Sequence, residues 1–277
     1  MEPTLLRIEE LSVTLPAAGR KLLHNISLDL APNTCLGIMG ESGSGKSLLC
    51  RAIMGLTGSE FRRSGKITFL GADLTRLDEK QMRRYRGPAV SIVLQHPMSA
   101  FDPLQPVGKQ MIDSLRAHLP LTVQEARDQA LAMLQQVGLS HAAQRFHHYP
   151  SQLSGGMLQR VTIAIALGLK PRLLIADEPT TALDSVSQAE IIALLARLRA
   201  ENDMALLMVS HNPGVIRQLA DRAIVMQAGQ IVEDNEIHAL FHQPQHPHTR
   251  ELIGAWQALQ GRYRHALLSA ATSGAAL

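Results

Sequence analysis

The chain has 277 residues, 45% of them hydrophobic, enough for one large core or two smaller ones. Its 27 Lys and Arg against 24 Asp and Glu leave a formal charge of +3, too slight a balance to argue for a nucleic-acid partner. Cys35 and Cys50, the two cysteines, lie in apolar surroundings and read as buried thiols in a reducing compartment. Met1 to Glu10 carries three acids and no basic stretch, so it does not read as a secretory signal. Nowhere is there a run of about 18 apolar residues, and the expectation is a chain that does not span a membrane by itself.

Taken in order, residues 5–15 and 26–31 read as strands. In the second, Ile26, Leu28 and Leu30 alternate with Ser27, Asp29 and Ala31, as in a half-exposed antiparallel strand. Thr34 to Met39 is a short buried strand, and Lys46 to Met54 a helix with Leu48, Leu49 and Ile53 apolar. Gly65 to Gly71 reads as a strand, Asp78 to Arg86 as a polar helix stopped by Gly87-Pro88, and Ala89 to Leu94 as an apolar strand running into Gln95. Pro97, Pro103, Pro106 and Gly108 then make a loop. Thr122-Val-Gln-Glu125 is a capping box for a helix with Ala126, Ala130, Leu134 and Val137 on one face and Gly138 as its stop. Residues 96–165 therefore read as a helical insertion into a core formed by 1–95 and 166–234. Leu173 to Ala176 is a buried strand ending at Asp177-Glu178, Ser185 to Glu201 a helix, and Met204 to Val209 a strand closed by Ser210-His211. Asp221 to Asp234 reads as a hairpin turning at Ala228-Gly229, and 235–277 as a tail of helical pieces around a Pro/His loop from Gln243 to His248.

The chemistry centres on Gly40-Glu41-Ser42-Gly43-Ser44-Gly45-Lys46-Ser47. It fits G-x-x-x-x-G-K-[ST], with a strand before it and a helix after it. Glycines let the backbone point its N–H groups at phosphate oxygens, Lys46 reaches the β- and γ-phosphates, and Ser47 offers a hydroxyl to Mg²⁺. Asp177 at a strand end can hold Mg²⁺, and Glu178 can orient or deprotonate an attacking water; two solvated acids would look the same in isolation. Leu153-Ser154-Gly155-Gly156 opens a helix and could cradle a second anion, though an ordinary helix start capped by Ser154 reads alike. One cradle in each of two subunits facing the same nucleotide would explain both. His211 could donate to a γ-phosphate oxygen, and the Gln95 amide could reach Mg²⁺ or water.

Together, Gly40–Ser47, Gln95, Leu153–Arg160, Leu174–Glu178, Ala182-Leu183-Asp184 and His211 resemble the ATP-binding subunit of an ABC transporter, over essentially the whole chain. The resemblance implies an α/β, P-loop ABC-type nucleotide-binding domain with an N-terminal antiparallel β subdomain and an inserted helical subdomain. It implies ATP and Mg²⁺ as cofactors and a head-to-tail dimer, in which Ser154, Gly155 and Gly156 of one subunit close on ATP in the other and Asp184 lies at the interface. A second ATPase subunit, two transmembrane permeases and, indirectly, an extracytoplasmic solute-binding protein follow as partners, with the chain peripheral at the cytoplasmic face of the inner membrane. Gln95 and the loop after it would face the permeases.

Gln95-His-Pro-Met-Ser-Ala-Phe-Asp-Pro-Leu104 and the tail motif His246-Pro247-His248-Thr249-Arg250 narrow the resemblance to the peptide/nickel importer ATPases, most like the nickel type. Nickel or a nickel–chelator complex is the first expectation for cargo, dipeptides or oligopeptides the second. Some peptide-type relatives carry an iron–sulfur cysteine cluster in the tail; with no cysteine after Cys50, this chain does not. Leu15 stands where these ATPases place an aromatic against adenine, so the base would gain only aliphatic contact there. His242, His246 and His248 have the spacing of no defined metal site, and the stiff loop around Pro247 reads as part of the tail motif. The segment between Gln95 and Ser154 is short and lacks heptads, against a chromosome-type ATPase; one motif set, not two, counts against a translation-type one. No Asn-Lys-x-Asp is present for a guanine-selecting switch.

Overall fold

The computed structural model describes residues 4–181 and 183–273. The chain opens with β1 (Leu6–Leu15), β2 (Arg20–Leu30), β3 (Cys35–Met39), α1 (Lys46–Ile53), β4 (Arg62–Phe69), β5 (Ala72–Asp73), α2 (Glu79–Tyr85) and β6 (Val90–Val93). Four helices follow, α3 (Val107–His118), α4 (Val123–Gln136), α5 (Ala142–Arg145) and α6 (Gly155–Leu167). Then come β7 (Leu173–Asp177), α7 (Ser185–Glu201), β8 (Ala205–Val209), α8 (Pro213–Leu219), β9 (Arg222–Gln227), β10 (Gln230–Glu236), α9 (Ile237–His242) and α10 (Pro247–Ser273).

The strands form two sheets. One is antiparallel, in the order β2-β1-β4-β5. The other runs β10-β9-β3-β8-β7-β6, parallel from β9 to β6 with β10 antiparallel at its edge. All five residues of β3, β7 and β8 are buried, the pattern of strands covered on both faces. Side chains alternate between two cores. Leu173 and Ile175 join the antiparallel sheet and α1, while Leu174 and Ala176 join the helical side.

The expected elements are present, with several differences: the short β5 was not expected, and Gly108, read as loop, lies in the first turn of α3. β2 starts at Arg20, not 26, because a turn through Pro16–Ala18 and Gly19 at φ 58° brings the chain straight back along β1. β4 starts at Arg62: its exposed polar residues pair with β1 through backbone bonds that need no apolar alternation. α8 was not expected. Its start is marked by Pro213 and by Asn212, whose Oδ1 accepts the Gly214 N–H at 2.9 Å. His248 lies inside α10, which Pro247 opens, so the loop ends at His246.

The Thr122 capping box forms as read: Thr122 Oγ1 accepts the Glu125 N–H at 3.2 Å, and Glu125 Oε2 accepts the Thr122 N–H at 2.8 Å. Ala126, Ala130, Leu134 and Val137 are all buried. α6 packs on α3 and α4 and also on β6, so the helices are joined to the main sheet by a continuous core. The tail loop is fastened to β10, where the Glu233 carboxylate accepts the N–H groups of Gln245 and His246, each at 2.8 Å.

Candidate active site

The order β3-β8-β7-β6 puts four loops side by side at the carboxyl edge of the parallel sheet. The loop after β3 carries Gly40–Ser47, β8 leads to His211, β7 ends in Asp177 and leads to Glu178, and β6 leads to Gln95. Open parallel sheets bind ligands at this edge.

The phosphate loop needs its glycines. A Cβ on Gly40, at φ 149°, would stand 2.3 Å from the Met226 carbonyl oxygen; one on Gly45, at φ 103°, would stand 2.7 Å from Leu23. Lys46 is buried, and its Nζ donates to the carbonyls of Gly40 and Glu41, each at 2.8 Å. Burial holds the Lys46 ammonium below the usual lysine range, against the pull of the Glu178 and Asp177 charges. Ser44 Oγ is buried beside Gly40 with no hydrogen-bond partner among the described residues.

Ser47 Oγ donates to Asp177 Oδ1 at 3.0 Å. Burial pushes the Asp177 carboxyl above its ordinary range; the Ser47 hydrogen bond opposes this and the Glu178 charge adds to it. A hydroxyl, a carboxylate and the nearby Gln95 amide are hard oxygen donors, a set that fits Mg²⁺ held partly by phosphates and water.

Glu178 adopts φ 52°, an uncommon backbone for a residue with a side chain. Its Oε2 accepts from Thr181 Oγ1 at 2.5 Å and lies 2.5 Å from His211 Nδ1. A carboxylate only accepts, so the imidazole carries its proton on Nδ1, which leaves Nε2 directed elsewhere. The Glu178 side chain is 10% exposed and that of His211 53%, so the acid is sheltered and the imidazole faces solvent.

Ser42, Gly43, Gly45, Lys46, Ser47, Gln95 and Glu178 line one cleft of about 550 Å³. Arg20, Lys21, Leu22 and His24 of β2 and the Ala228–Gly229 turn form its other wall. Leu15 is not among the lining residues. Ser154, Gly155 and Gly156 are also outside this cleft, at the start of α6, where Ser154 Oγ accepts the Met157 N–H at 3.3 Å. A Cβ on Gly156 would stand 3.2 Å from Ser187 Oγ, so α6 begins close against the first turn of α7. Asp184 caps α7, accepting the N–H groups of Val186 at 3.0 Å and Ser187 at 2.9 Å; these bonds, Ser187 first, hold its carboxyl below the usual range. Ala182 lies outside the described residues.

Sequence reasoning missed Thr181 and the β2 wall. Thr181 lies only three residues from Glu178, but its contact depends on the turn after β7; the β2 residues carry no motif. A larger cleft, about 790 Å³ between α7, α8 and α10, holds none of the expected site residues. The tail histidines do not converge: His242 packs its ring on His238 at 4.3 Å, and His246 Nδ1 accepts the His248 N–H at 3.2 Å. Among the described residues no three His, Cys, Asp or Glu side chains are placed to hold a metal ion.

A phosphate loop, an acidic strand end and a histidine gathered at the edge of a parallel sheet define a P-loop nucleotide-binding domain. The family model described as ABC transporter matches residues 23–181. The metal-staphylopine import system ATP-binding protein CntD of Staphylococcus aureus is 36% identical over 264 residues, 95% of this chain and 97% of the relative. The dipeptide transport ATP-binding protein DppD of Escherichia coli is 42% identical over 254 residues, 91% of this chain and 78% of the relative. The ATP-binding cassette MJ0796, solved as a dimer in a post-hydrolysis state with ADP and Pi, superposes with a TM-score of 0.75 at 27% identity, over 84% of this chain and 98% of that one. The chain belongs to the ABC transporter family as an ATP-binding, ATP-hydrolysing protein.

Proposed function

We propose that this ATPase powers import of nickel or a metal–chelator complex through a membrane transporter. The observation that carries the cargo reading is the 36% identity with CntD along almost the full length of both chains. DppD and its 42% identity favour a second reading, import of dipeptides or oligopeptides. The working unit of this reading is a dimer of ATPase subunits attached to two transmembrane permeases, with a solute-binding protein delivering cargo from outside. No described helix is long and apolar enough to cross a membrane, which agrees with attachment by protein contacts at the cytoplasmic face.

In the proposed cycle the backbone of Gly40–Ser47 and the Lys46 ammonium bind the phosphates, and Glu41, Ser42 and Ser44 complete the loop. Ser47, Asp177 and Gln95 would hold Mg²⁺, which neutralises phosphate charge when bound. Glu178 orients the attacking water and takes its proton. Thr181 and His211 fix the carboxylate by donating to it, so a donation from Nε2 of His211 toward the γ-phosphate would require a second proton on the ring. Ser154, Gly155 and Gly156 lie away from this cleft, an arrangement that suits closure on nucleotide in a partner subunit. The test is to purify the chain from membranes with its co-expressed permeases, reconstitute them, and measure ATP turnover against nickel, nickel–chelator complexes and dipeptides. Stimulation by peptides alone would replace the first reading by the second.

A further inference from the structure

We infer that Arg20 holds the face of the nucleotide base in this cleft, in place of an aromatic side chain; the inference rests on the reading of the cleft as the ATP site. The phosphate loop lines the cleft through Ser42, Gly43, Gly45, Lys46 and Ser47. Arg20, Lys21, Leu22 and His24 of β2 line it too, and no Phe, Tyr or Trp lines any part of it. Leu15 and Arg20 are direct partners in the β1–β2 pairing, so they sit at the same level of the hairpin. Of the two, only Arg20 is among the residues that line the cleft.

The strand is shaped for this. Val13 pairs with Leu23 and Thr14 with Lys21, so Leu22 is one residue extra on β2. A bulge of this kind re-aims side chains. Arg20, Lys21 and Leu22 all line the cleft, while Leu23 stays fully buried in the core. Arg20 is exposed and makes no ion pair or side-chain hydrogen bond among the described residues. A planar, weakly hydrated guanidinium stacks on a base; the neighbouring Lys21 ammonium is a point charge and does so poorly. Stacking reads the face of a purine and not its edge, so adenine and guanine should be held alike.

The test is calorimetric titration of the full chain and its variants with Mg-ATP, Mg-GTP and Mg-tripolyphosphate. Arg20→Ala should weaken ATP and GTP by about three- to tenfold and tripolyphosphate by less than about twofold. Arg20→Tyr should restore ATP affinity, and Arg20→Lys should not. Equal losses for ATP and tripolyphosphate would mean that Arg20 acts only as a charge near the phosphates and would overturn the inference. So would full ATP affinity in Arg20→Ala or in Arg20→Lys. If the unaltered chain binds none of the three ligands, the reading of the cleft itself fails and this inference with it.

Discussion

Glu178 Oε2 and His211 Nδ1 lie 2.5 Å apart although 33 residues separate them. β7 and β8 are parallel neighbours with Asp177 opposite Val209, so the residues that follow each strand emerge side by side. This pairing makes Glu178 and His211 one unit. Glu178→Gln should retain Mg-ATP binding and lose hydrolysis by a factor of about 10²–10⁴. His211→Ala should also slow turnover, and the double variant should cost little more than the worse single one, since the two act together. Single-turnover ATPase assays decide this; multiplied losses in the double variant would show that the two side chains act independently.

Asp177 is a charge kept at the cost of stability. Its carboxyl is held above the ordinary range in the fold, so the folded state favours the protonated form. The resulting stabilisation is full below the unfolded-state value and is lost as pH rises through the raised one. At neutral pH Asp177→Asn should therefore raise the melting temperature of the nucleotide-free chain, while the further rise given by Mg-ATP should shrink. A lowered melting temperature without nucleotide would show that the Ser47 hydrogen bond outweighs the burial of charge.

Ser154 is exposed at the start of α6 and outside the cleft that holds Lys46. Ser154→Arg should leave ATP binding by the single subunit within about twofold, because the change lies away from the phosphate loop. ATP-dependent dimerisation and turnover should be lost. Sedimentation of the variant with nucleotide, beside a binding titration, measures both; loss of binding with intact dimerisation would reverse the assignment.

Both thiols should be inert in the folded protein. Burial pushes the Cys35 thiol up to about 12 and that of Cys50 well above its ordinary value. With so little thiolate at pH 8, labelling by a disulfide reagent should proceed only as fast as the chain opens, and should become rapid in denaturant. Rapid labelling of either cysteine in the native state would contradict this packing.

Local chemistry in the sequence already determined much of this protein. The glycines and Lys46 of the phosphate loop, the Thr122–Glu125 box and the unbroken apolar run Leu173–Ala176 each specify their own backbone within a few residues, because turn, cap and burial preferences act at short range. Only the tertiary structure decided which ends meet. The sheet order sets Gln95, Asp177 and His211 beside a loop that begins at Gly40, and hydrogen bonding between strands far apart in the chain has no local signature. The same holds for the wall of β2. Its bulge arises from pairing with β1, so nothing in Arg20-Lys21-Leu22 by itself says that these residues line the cleft, or that Arg20 does and Leu15 does not.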